Sequence, residues 1–264
     1  MVMKIGVVLE SMGLPLRQGL PFAARLGVAG VQVDATGDLA PDRLPDTGRR
    51  ELKNLLRTYN QQLTALNCPF RHGLDAPENQ QARIDYVRKV MSLAFEIGPR
   101  KVIVQCPKLP GEGEESRANS LREALTDLGR HGDRVGADLA LEIGLDPPEA
   151  VAAYLDQFDV GSLKVDYDPA NLLGNGFDPV KGIIPLHRRI AHVHARDARK
   201  VSVSRGSQEV PLGAGDVDWL SLIGSLVSVE YRGWLTIRRE TGQDRLKDIE
   251  RGVAFLRRVL VPTG

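Results

Sequence analysis

Two histidines and an arginine fall on alternate positions in one short stretch of the chain, Ile-Ala-His-Val-His-Ala-Arg-Asp at 190–197. In a β-strand alternate residues share one face, so His192, His194 and Arg196 would point the same way. Such a face is too polar for an ordinary core. Because other predicted strands end in similarly polar residues, we interpret it as part of a binding or catalytic site. The alternative is a pair of hydrogen-bonded histidines on a half-buried strand.

This stretch is the seventh of eight predicted strand-and-helix units. Short apolar, β-branched runs predict strands, and apolar residues at helical spacing predict the helices between them, with Gly or Pro at many of the ends. The strands are predicted at 4–10, 30–34, 63–68, 101–106, 138–143, 162–168, 190–196 and 234–238. The helices are predicted at 16–26, 47–59, 77–97, 116–135, 147–157, 178–189, 217–227 and 245–259, with a Gly-rich loop at 212–216 before the seventh.

Eight such units in 264 residues, without a linker or low-complexity segment, predict a single (β/α)8 TIM barrel over residues 1–264. The length is close to the roughly 250 residues typical of this fold. The first strand lacks the G-x-G-x-x-G turn of a dinucleotide-binding sheet, which disfavours a doubly wound alternative.

Composition excludes several classes of protein. A net charge of +1 favours neither nucleic acid nor a membrane surface as partner. No apolar run approaches the ~20 residues of a membrane span, and the amino terminus lacks a signal-peptide pattern. Cys68 and Cys106 are the only cysteines, too few for a disulfide framework, so we expect reduced thiols. We therefore expect a cytoplasmic protein.

In a TIM barrel, chemistry takes place at the carboxyl ends of the strands. Alternation along the last four predicted strands sends apolar residues outward and polar residues inward, which makes the mouth acidic, imidazole-rich and partly cationic. The inward residues are Glu142 on the fifth strand, Lys164, Asp166 and Asp168 on the sixth, His192, His194 and Arg196 on the seventh, and Thr236, Arg238 and Glu240 on the eighth.

Three of these residues form a candidate metal site. Glu142, Asp168 and His194 end successive strands at intervals of 26 residues. Carboxylate oxygens and an imidazole nitrogen suit a divalent ion such as manganese, magnesium, cobalt or zinc. The alternative is a buried ion-pair network in which Arg196, Arg238 and a lysine neutralise the carboxylates.

Five motifs carry a resemblance to a known family. They are Leu-Glu-Ile-Gly at 141–144, Asp-Tyr-Asp-Pro-Ala-Asn-Leu at 166–172, His-Val-His-Ala-Arg-Asp at 192–197, Pro-Leu-Gly-Ala-Gly-Asp-Val-Asp-Trp at 211–219 and Gly-Trp-Leu-Thr-Ile at 233–237. Together they resemble the xylose isomerase-like TIM barrels, the sugar phosphate isomerase/epimerase superfamily. The resemblance implies one divalent ion, commonly manganese, magnesium or cobalt, bound by Glu, Asp, His and a second Glu. Glu142, Asp168 and His194 match the first three.

The fourth position departs from the family, because Arg238 stands where the second Glu is expected, and Asn171 stands where a His is expected. Three hypotheses follow. Arg238 takes the place of the ion and pairs with Glu142 and Asp168, because a guanidinium is always charged and binds carboxylates in a fork. Alternatively Glu240 completes the metal site while Arg238 binds an anionic group of the substrate, or the barrel binds without catalysis.

The resemblance implies a sugar isomerase or epimerase that moves a proton beside the carbonyl of a keto sugar, sugar phosphate or polyol-derived ketone. Glu142 would be the general base, and a metal or Arg238 would stabilise the enediolate oxygen. Predicted substrate contacts are His192, Arg196, Lys164, Arg71, His72 and Gln105, with Glu10 and Asp34 as candidate hydroxyl contacts.

Two other functions stay open, an inosose-type dehydratase with the same site and a sugar-binding barrel without turnover. A DNA-repair endonuclease of this fold is disfavoured, since the resemblance would then imply a histidine-rich cluster of three zinc ions and the chain has five histidines. Folds of this type often form dimers or tetramers, so a homo-oligomer is compatible with the sequence.

Overall fold

Eight parallel strands close into a barrel in the computed structural model, which describes residues 3–202 and 206–260. The barrel strands are β1 (Lys4–Val8), β2 (Gly30–Asp34), β3 (Gln62–Cys68), β4 (Lys101–Gln105), β5 (Asp138–Glu142), β6 (Leu163–Tyr167), β7 (Ile190–Ala195) and β10 (Trp234–Ile237), and β8 (Asp197–Ser202) and β9 (Gly206–Val210) form a separate two-stranded sheet. The helices are α1 (Leu16–Leu26), α2 (Asp46–Thr58), α3 (Gln80–Ile97), α4 (Glu115–Val135), α5 (Pro148–Leu155), α6 (Pro169–Gly174), α7 (Ile183–Leu186), α8 (Trp219–Ser228) and α9 (Arg245–Leu260).

The order of strands around the barrel is β1-β10-β7-β6-β5-β4-β3-β2. This confirms the predicted (β/α)8 TIM barrel, with β10 as its eighth strand. No helix in the described part of the chain is long and apolar enough to cross a membrane.

The strands have one apolar face against the helices and one face toward the barrel axis. Outward residues such as Leu139, Leu141 and Val165 belong to the main core, while Ala65, Ile103 and Ala140 form a separate cluster. All three side chains are fully buried, so this part of the interior is filled by packed side chains.

The predicted helix at 178–189 is wrong. This part of the chain carries only the four-residue α7, and the short α6 lies before it. A longer helix through Pro185 would lose a backbone donor, and the proline ring would clash with the carbonyl of Lys181. Proline is tolerated in the first turn of α7, which is where it lies.

A hairpin missing from the sequence prediction follows β7. Its strands, β8 and β9, pair antiparallel from Asp197 opposite Val210. The buried Asp197 carboxylate accepts hydrogen bonds from the backbone N–H groups of Gly213 (2.9 Å), Gly215 (3.2 Å) and Val217 (3.3 Å). The hairpin is thereby tied to the Gly-rich loop, and it brings β9 to the barrel mouth.

Candidate active site

Two adjoining cavities open at the carboxyl ends of the strands. The larger, of about 370 Å³, extends from β3 to β10, and the smaller, of about 220 Å³, lies against β1 and β2. Both are bordered by Asn67, Pro69, Arg238 and Glu240. The mouth is therefore one continuous polar surface with Arg238 between its two parts.

Arg238 follows β10 directly and reaches across the barrel to β5. Its Nη1 donates to Glu142 Oε2 at 2.7 Å and lies 3.5 Å from His194 Nδ1, while Nη2 donates to Glu240. The side chains of Arg238 and Glu142 are 20% and 8% exposed, so water screens this ion pair weakly. The guanidinium places its charge among the residues predicted to bind a metal.

Asn171 holds the other side of the Glu142 carboxylate. Its Nδ2 donates to Glu142 Oε1 at 2.9 Å. Asp168 positions Asn171, because its Oδ1 caps α6 by accepting the Asn171 backbone N–H at 2.9 Å. Gly144 has φ +154°, and a Cβ there would overlap the Asn171 Cβ. The glycine of the Leu-Glu-Ile-Gly motif thus lets Asn171 approach Glu142.

Below the mouth, Asp166 joins both histidines of β7. Its Oδ1 lies 2.7 Å from His192 Nδ1 and its Oδ2 lies 2.7 Å from His194 Nδ1, with all three side chains fully buried. Burial acts to raise the pKa of Asp166, but the two imidazoles outweigh it and lower that pKa. His192 also contacts Thr236 Oγ1 through Nε2 at 2.7 Å. Both of its nitrogens are occupied inside the barrel, so it is not a direct substrate contact in this arrangement.

The predicted metal ligands come together but do not fit a divalent ion. Glu142, Asp168 and His194 offer ligand atoms within 4.8 Å of one another. However, the Arg238 guanidinium already pairs with Glu142 at 2.7 Å, so a permanent cation lies where the ion would be. The two ring nitrogens of His194 lie 2.7 Å from Asp166 Oδ2 and 2.9 Å from Gln32 Oε1, so the ring faces two acceptors. A ligand to metal needs a free nitrogen lone pair.

The pKa of His194 agrees with this arrangement. Burial acts to lower the pKa, but the charge and contact of Asp166 outweigh it, and the pKa is raised. A raised pKa favours the protonated ring, in which neither nitrogen has a lone pair for a metal. The site is therefore arranged around the cation of Arg238.

Arg196 occupies the next part of the mouth, as predicted from alternation along β7. Its Nη1 donates to Asn171 Oδ1 at 2.9 Å and lies 3.5 Å from Asp168 Oδ2, and its Nη2 donates to Glu240 at 2.8 Å. Glu240 is thus shared by Arg196 and Arg238 and does not reach the candidate metal ligands.

Glu209 on β9 anchors the chain just after β10, and no motif or spacing in the sequence points to it. Its carboxylate accepts from Arg196 Nε at 3.1 Å, contacts Arg239 at 3.1 Å, and accepts backbone N–H groups of Glu240 and Thr241. Burial acts to raise the pKa of Glu209, but the Thr241 and Glu240 hydrogen bonds and the Arg196 charge lower it. The missed hairpin is the reason that sequence reasoning did not find this residue.

Of the remaining predicted substrate contacts, some border a cavity at the mouth and others do not. Gln105 lines the larger cavity, and it borders a third cavity of about 190 Å³ together with His72. Arg71 is exposed in the loop after β3. Lys164 is the second residue of β6, and its charge acts on Asp138, the first residue of β5. It lies toward the amino-terminal end of the barrel, away from the mouth, which makes it a poor candidate for a substrate contact.

A family model described as "Xylose isomerase-like TIM barrel" matches residues 20–259. The chain belongs to the xylose isomerase-like TIM barrel family. Among curated members similar to this barrel, the uncharacterized protein YfiH of Bacillus subtilis is 28% identical over 75% of this chain and 74% of that protein. An inosose dehydratase of Geobacillus kaustophilus is 26% identical over 35% of this chain and 34% of that enzyme.

Solved xylose isomerase-like barrels share the same fold. A xylose isomerase domain protein from Planctomyces limnophilus superposes with a TM-score of 0.86 at 23% identity, covering 98% of both chains. A D-tagatose 3-epimerase-like protein gives 0.77 at 19% identity, covering 97% of this chain and 98% of that one. A barrel from Mycobacterium smegmatis in complex with magnesium gives 0.79 at 16% identity, covering 98% and 96%.

Proposed function

We propose that this xylose isomerase-like barrel is a metal-independent isomerase or epimerase of keto sugars or polyol-derived ketones. The observation that carries the proposal is the 2.7 Å contact between Arg238 Nη1 and Glu142 Oε2 inside the mouth. It puts a permanent cation beside a carboxylate, the two groups that proton transfer next to a carbonyl requires.

In the proposed reaction, the ketone oxygen of the substrate lies against the Arg238 guanidinium. Glu142 removes a proton from the adjacent carbon, and the negative charge that develops on the oxygen is stabilised by Arg238. Asn171 keeps the Glu142 carboxylate oriented through its 2.9 Å hydrogen bond. The guanidinium supplies positive charge at every working pH, since it does not deprotonate in proteins.

The larger cavity supports a small polar substrate. Its volume of about 370 Å³ falls in the range of roughly 300–1,000 Å³ usual for small-molecule sites. Its walls carry the side-chain amides of Asn67, Gln105 and Asn171 and the guanidinium of Arg196. The amides donate to and accept from sugar hydroxyls, and the guanidinium donates to them.

A dehydratase is the second candidate, and the similarity to an inosose dehydratase favours it. Its first step would be the same removal of a proton beside the ketone. The electron pair would then expel the hydroxyl group one carbon further on, which leaves as water when it takes a proton. The two reactions differ in their products and not in the first step.

The test is proton exchange in D2O, followed by NMR, on protein dialysed against EDTA. D-fructose, D-tagatose and 2-keto-myo-inositol serve as substrates. We expect deuterium beside the carbonyl of at least one of them, unchanged by EDTA and lost in Glu142→Gln. A new epimer or isomer identifies an isomerase, and an unsaturated ketone identifies a dehydratase. Exchange that depends on added manganese contradicts the proposal, and sugar binding without exchange indicates a barrel without turnover.

A further inference from the structure

Two carboxyl groups, those of Glu10 and Asp34, line the smaller cavity on the side of the mouth opposite Glu142. Glu10 follows β1 and lies in a short 3-10 turn, and Asp34 ends β2. Glu10 Oε1 accepts the Asp34 backbone N–H at 2.8 Å, and Asp34 Oδ1 accepts Asn67 Nδ2 at 2.7 Å. Both carboxyl groups are held in place by neutral donors.

Neither carboxyl group has a cation within 4.0 Å among residues 3–202 and 206–260, unlike Glu142, which pairs with Arg238. The other charged residues bordering this cavity are Arg238, Arg239, Glu240 and Arg245. Arg238 and Arg239 are engaged by carboxylates of their own, at Glu142 and Glu240 and at Glu209 and Asp248.

This environment favours the protonated form of Glu10. Partial burial, followed by the charge of Asp34, raises the pKa of Glu10 to about 7, although one of its oxygens accepts a backbone N–H. The pKa of Asp34 is raised as well, chiefly by burial. A carboxyl group with a pKa of about 7 is partly protonated at neutral pH, so Glu10 is able to act as an acid there.

The strand order places Glu142 and Glu10 on opposite sides of the barrel mouth. In the sequence β1-β10-β7-β6-β5-β4-β3-β2, β5 lies four places from β1 in either direction around the barrel. Glu142 ends β5 and Glu10 follows β1, so they face the mouth from opposite sides. Arg238 borders both cavities between them.

We propose that Glu10 is the second proton-transfer residue of the site, acting from the face opposite Glu142 and selecting epimerisation at the carbon beside the carbonyl. The inference rests on the proposed function. It places a carboxyl group after β1, whereas the resemblance would place a second one on the eighth strand, where this chain has Arg238.

Epimerisation removes a proton from one face of the carbon and returns a proton to the other face. The Glu142 carboxylate takes the proton from the carbon, the C–H electron pair forms the C=C bond of the enediolate, and the carbonyl pair moves to the oxygen beside Arg238. The Glu10 carboxylic acid then gives its proton to the same carbon from the other face, and the oxygen pair re-forms the carbonyl. Glu142 ends protonated and Glu10 ionised, and exchange with solvent restores both.

The test compares Glu10→Gln with wild type in the D2O assay. Gln keeps an oxygen acceptor for the Asp34 N–H, so an unchanged thermal midpoint is expected. In the variant, Glu142 still exchanges the proton beside the carbonyl for deuterium with retention of configuration. Epimer formation falls by about 10²-fold or more. Glu10→Asp restores part of the rate. Glu123→Gln, an exposed carboxylate on α4, is the matched control and leaves both rates unchanged.

The pH profile is a second readout. When epimerisation runs in the direction that uses Glu10 as the proton donor, its rate falls as pH rises through about 7. This falling limb of the pH profile disappears in Glu10→Gln. Asp34→Asn removes the neighbouring charge and moves the limb to lower pH. Wild-type epimerisation that persists at the same rate in Glu10→Gln overturns the inference and leaves the proposed function intact. Absence of exchange by wild type on every substrate overturns both.

Discussion

Arg238 Nη1 and Glu142 Oε2 lie 2.7 Å apart, although the two residues are 96 positions apart in the chain. The contact joins β10 to β5 across the mouth and brings a guanidinium among Glu142, Asp168 and His194. A metal ion and this guanidinium would compete for the same carboxylate, because two cations repel each other at such distances. We therefore expect the identity of this one side chain to decide between ion-pair and metal chemistry.

Replacing Arg238 by Glu is expected to create a divalent-ion site. The change removes the competing cation and adds a third carboxylate beside Glu142 and Asp168. At an ion concentration 100-fold above Kd, binding stabilises the fold by about 2.7 kcal/mol. For a protein of this size, that raises the thermal midpoint by roughly 5–10 °C. Titration with manganese followed by thermal unfolding measures the effect.

The control for this experiment is Arg238→Met, which removes the charge and supplies no oxygen donor. We expect its thermal midpoint to respond to manganese far less than that of Arg238→Glu. If manganese stabilised the wild-type protein as strongly as Arg238→Glu, the conclusion that the wild-type residues do not fit a divalent ion would be wrong.

The buried Asp166 is expected to be essential for stability. Asp166→Asn removes the negative charge that His192 and His194 share, and it leaves an imidazole facing a neutral amide. Breaking a buried charged pair costs about 3–5 kcal/mol. The matched control is Asp127→Asn on α4, which breaks an ion pair with Arg88 at the surface and costs at most about 1 kcal/mol. Urea unfolding at pH 7 compares the two, and equal losses would argue against a charged Asp166.

Strand alternation was sufficient to find most of the mouth. It predicted that Glu142, Asp168, His194 and Arg238 point inward, because a period of two fixes the face of every residue on a strand. The resemblance then indicated that Arg238 was out of place in the family pattern.

Alternation does not give the height of a residue along the barrel axis. Lys164 and Asp166 share one face of β6, and Asp168 follows that strand on the same alternation, yet Asp168 lies at the mouth while Asp166 lies below it against His192 and His194. That height depends on how far neighbouring strands are shifted, and the pairing of β6 with β7 contains an irregularity between Val165 and Asp166. Glu209 was missed because its partners are distant in sequence and meet it only through the hairpin.

Glu209 is expected to make stability depend on pH. Its pKa is lower in the folded protein than the ordinary value of about 4.3 for an unfolded chain. Its contribution is therefore complete above that value and is lost as pH falls through the folded pKa. Glu209→Gln should lose about 2–3 kcal/mol at pH 7, as for hydrogen bonds to charged groups. The difference from wild type should shrink below about pH 4. Urea unfolding from pH 3 to pH 7 measures this, and a difference that stays constant with pH would contradict it.

Substitutions at Gly144 and Gly176 distinguish the effect of steric overlap from the effect of backbone strain. Both have positive φ, +154° and +85°, but a Cβ on Gly144 would overlap Asn171, whereas a Cβ on Gly176 meets no atom within 4 Å. Gly176→Ala should therefore cost only the strain of its backbone, about 1 kcal/mol. Gly144→Ala should cost roughly 1–3 kcal/mol more, as for other overpacked sites. It should also displace Asn171 from Glu142, so kcat/KM in the D2O assay should fall for Gly144→Ala alone. Equal effects of the two changes on both stability and rate would mean that the Asn171 contact does not orient Glu142.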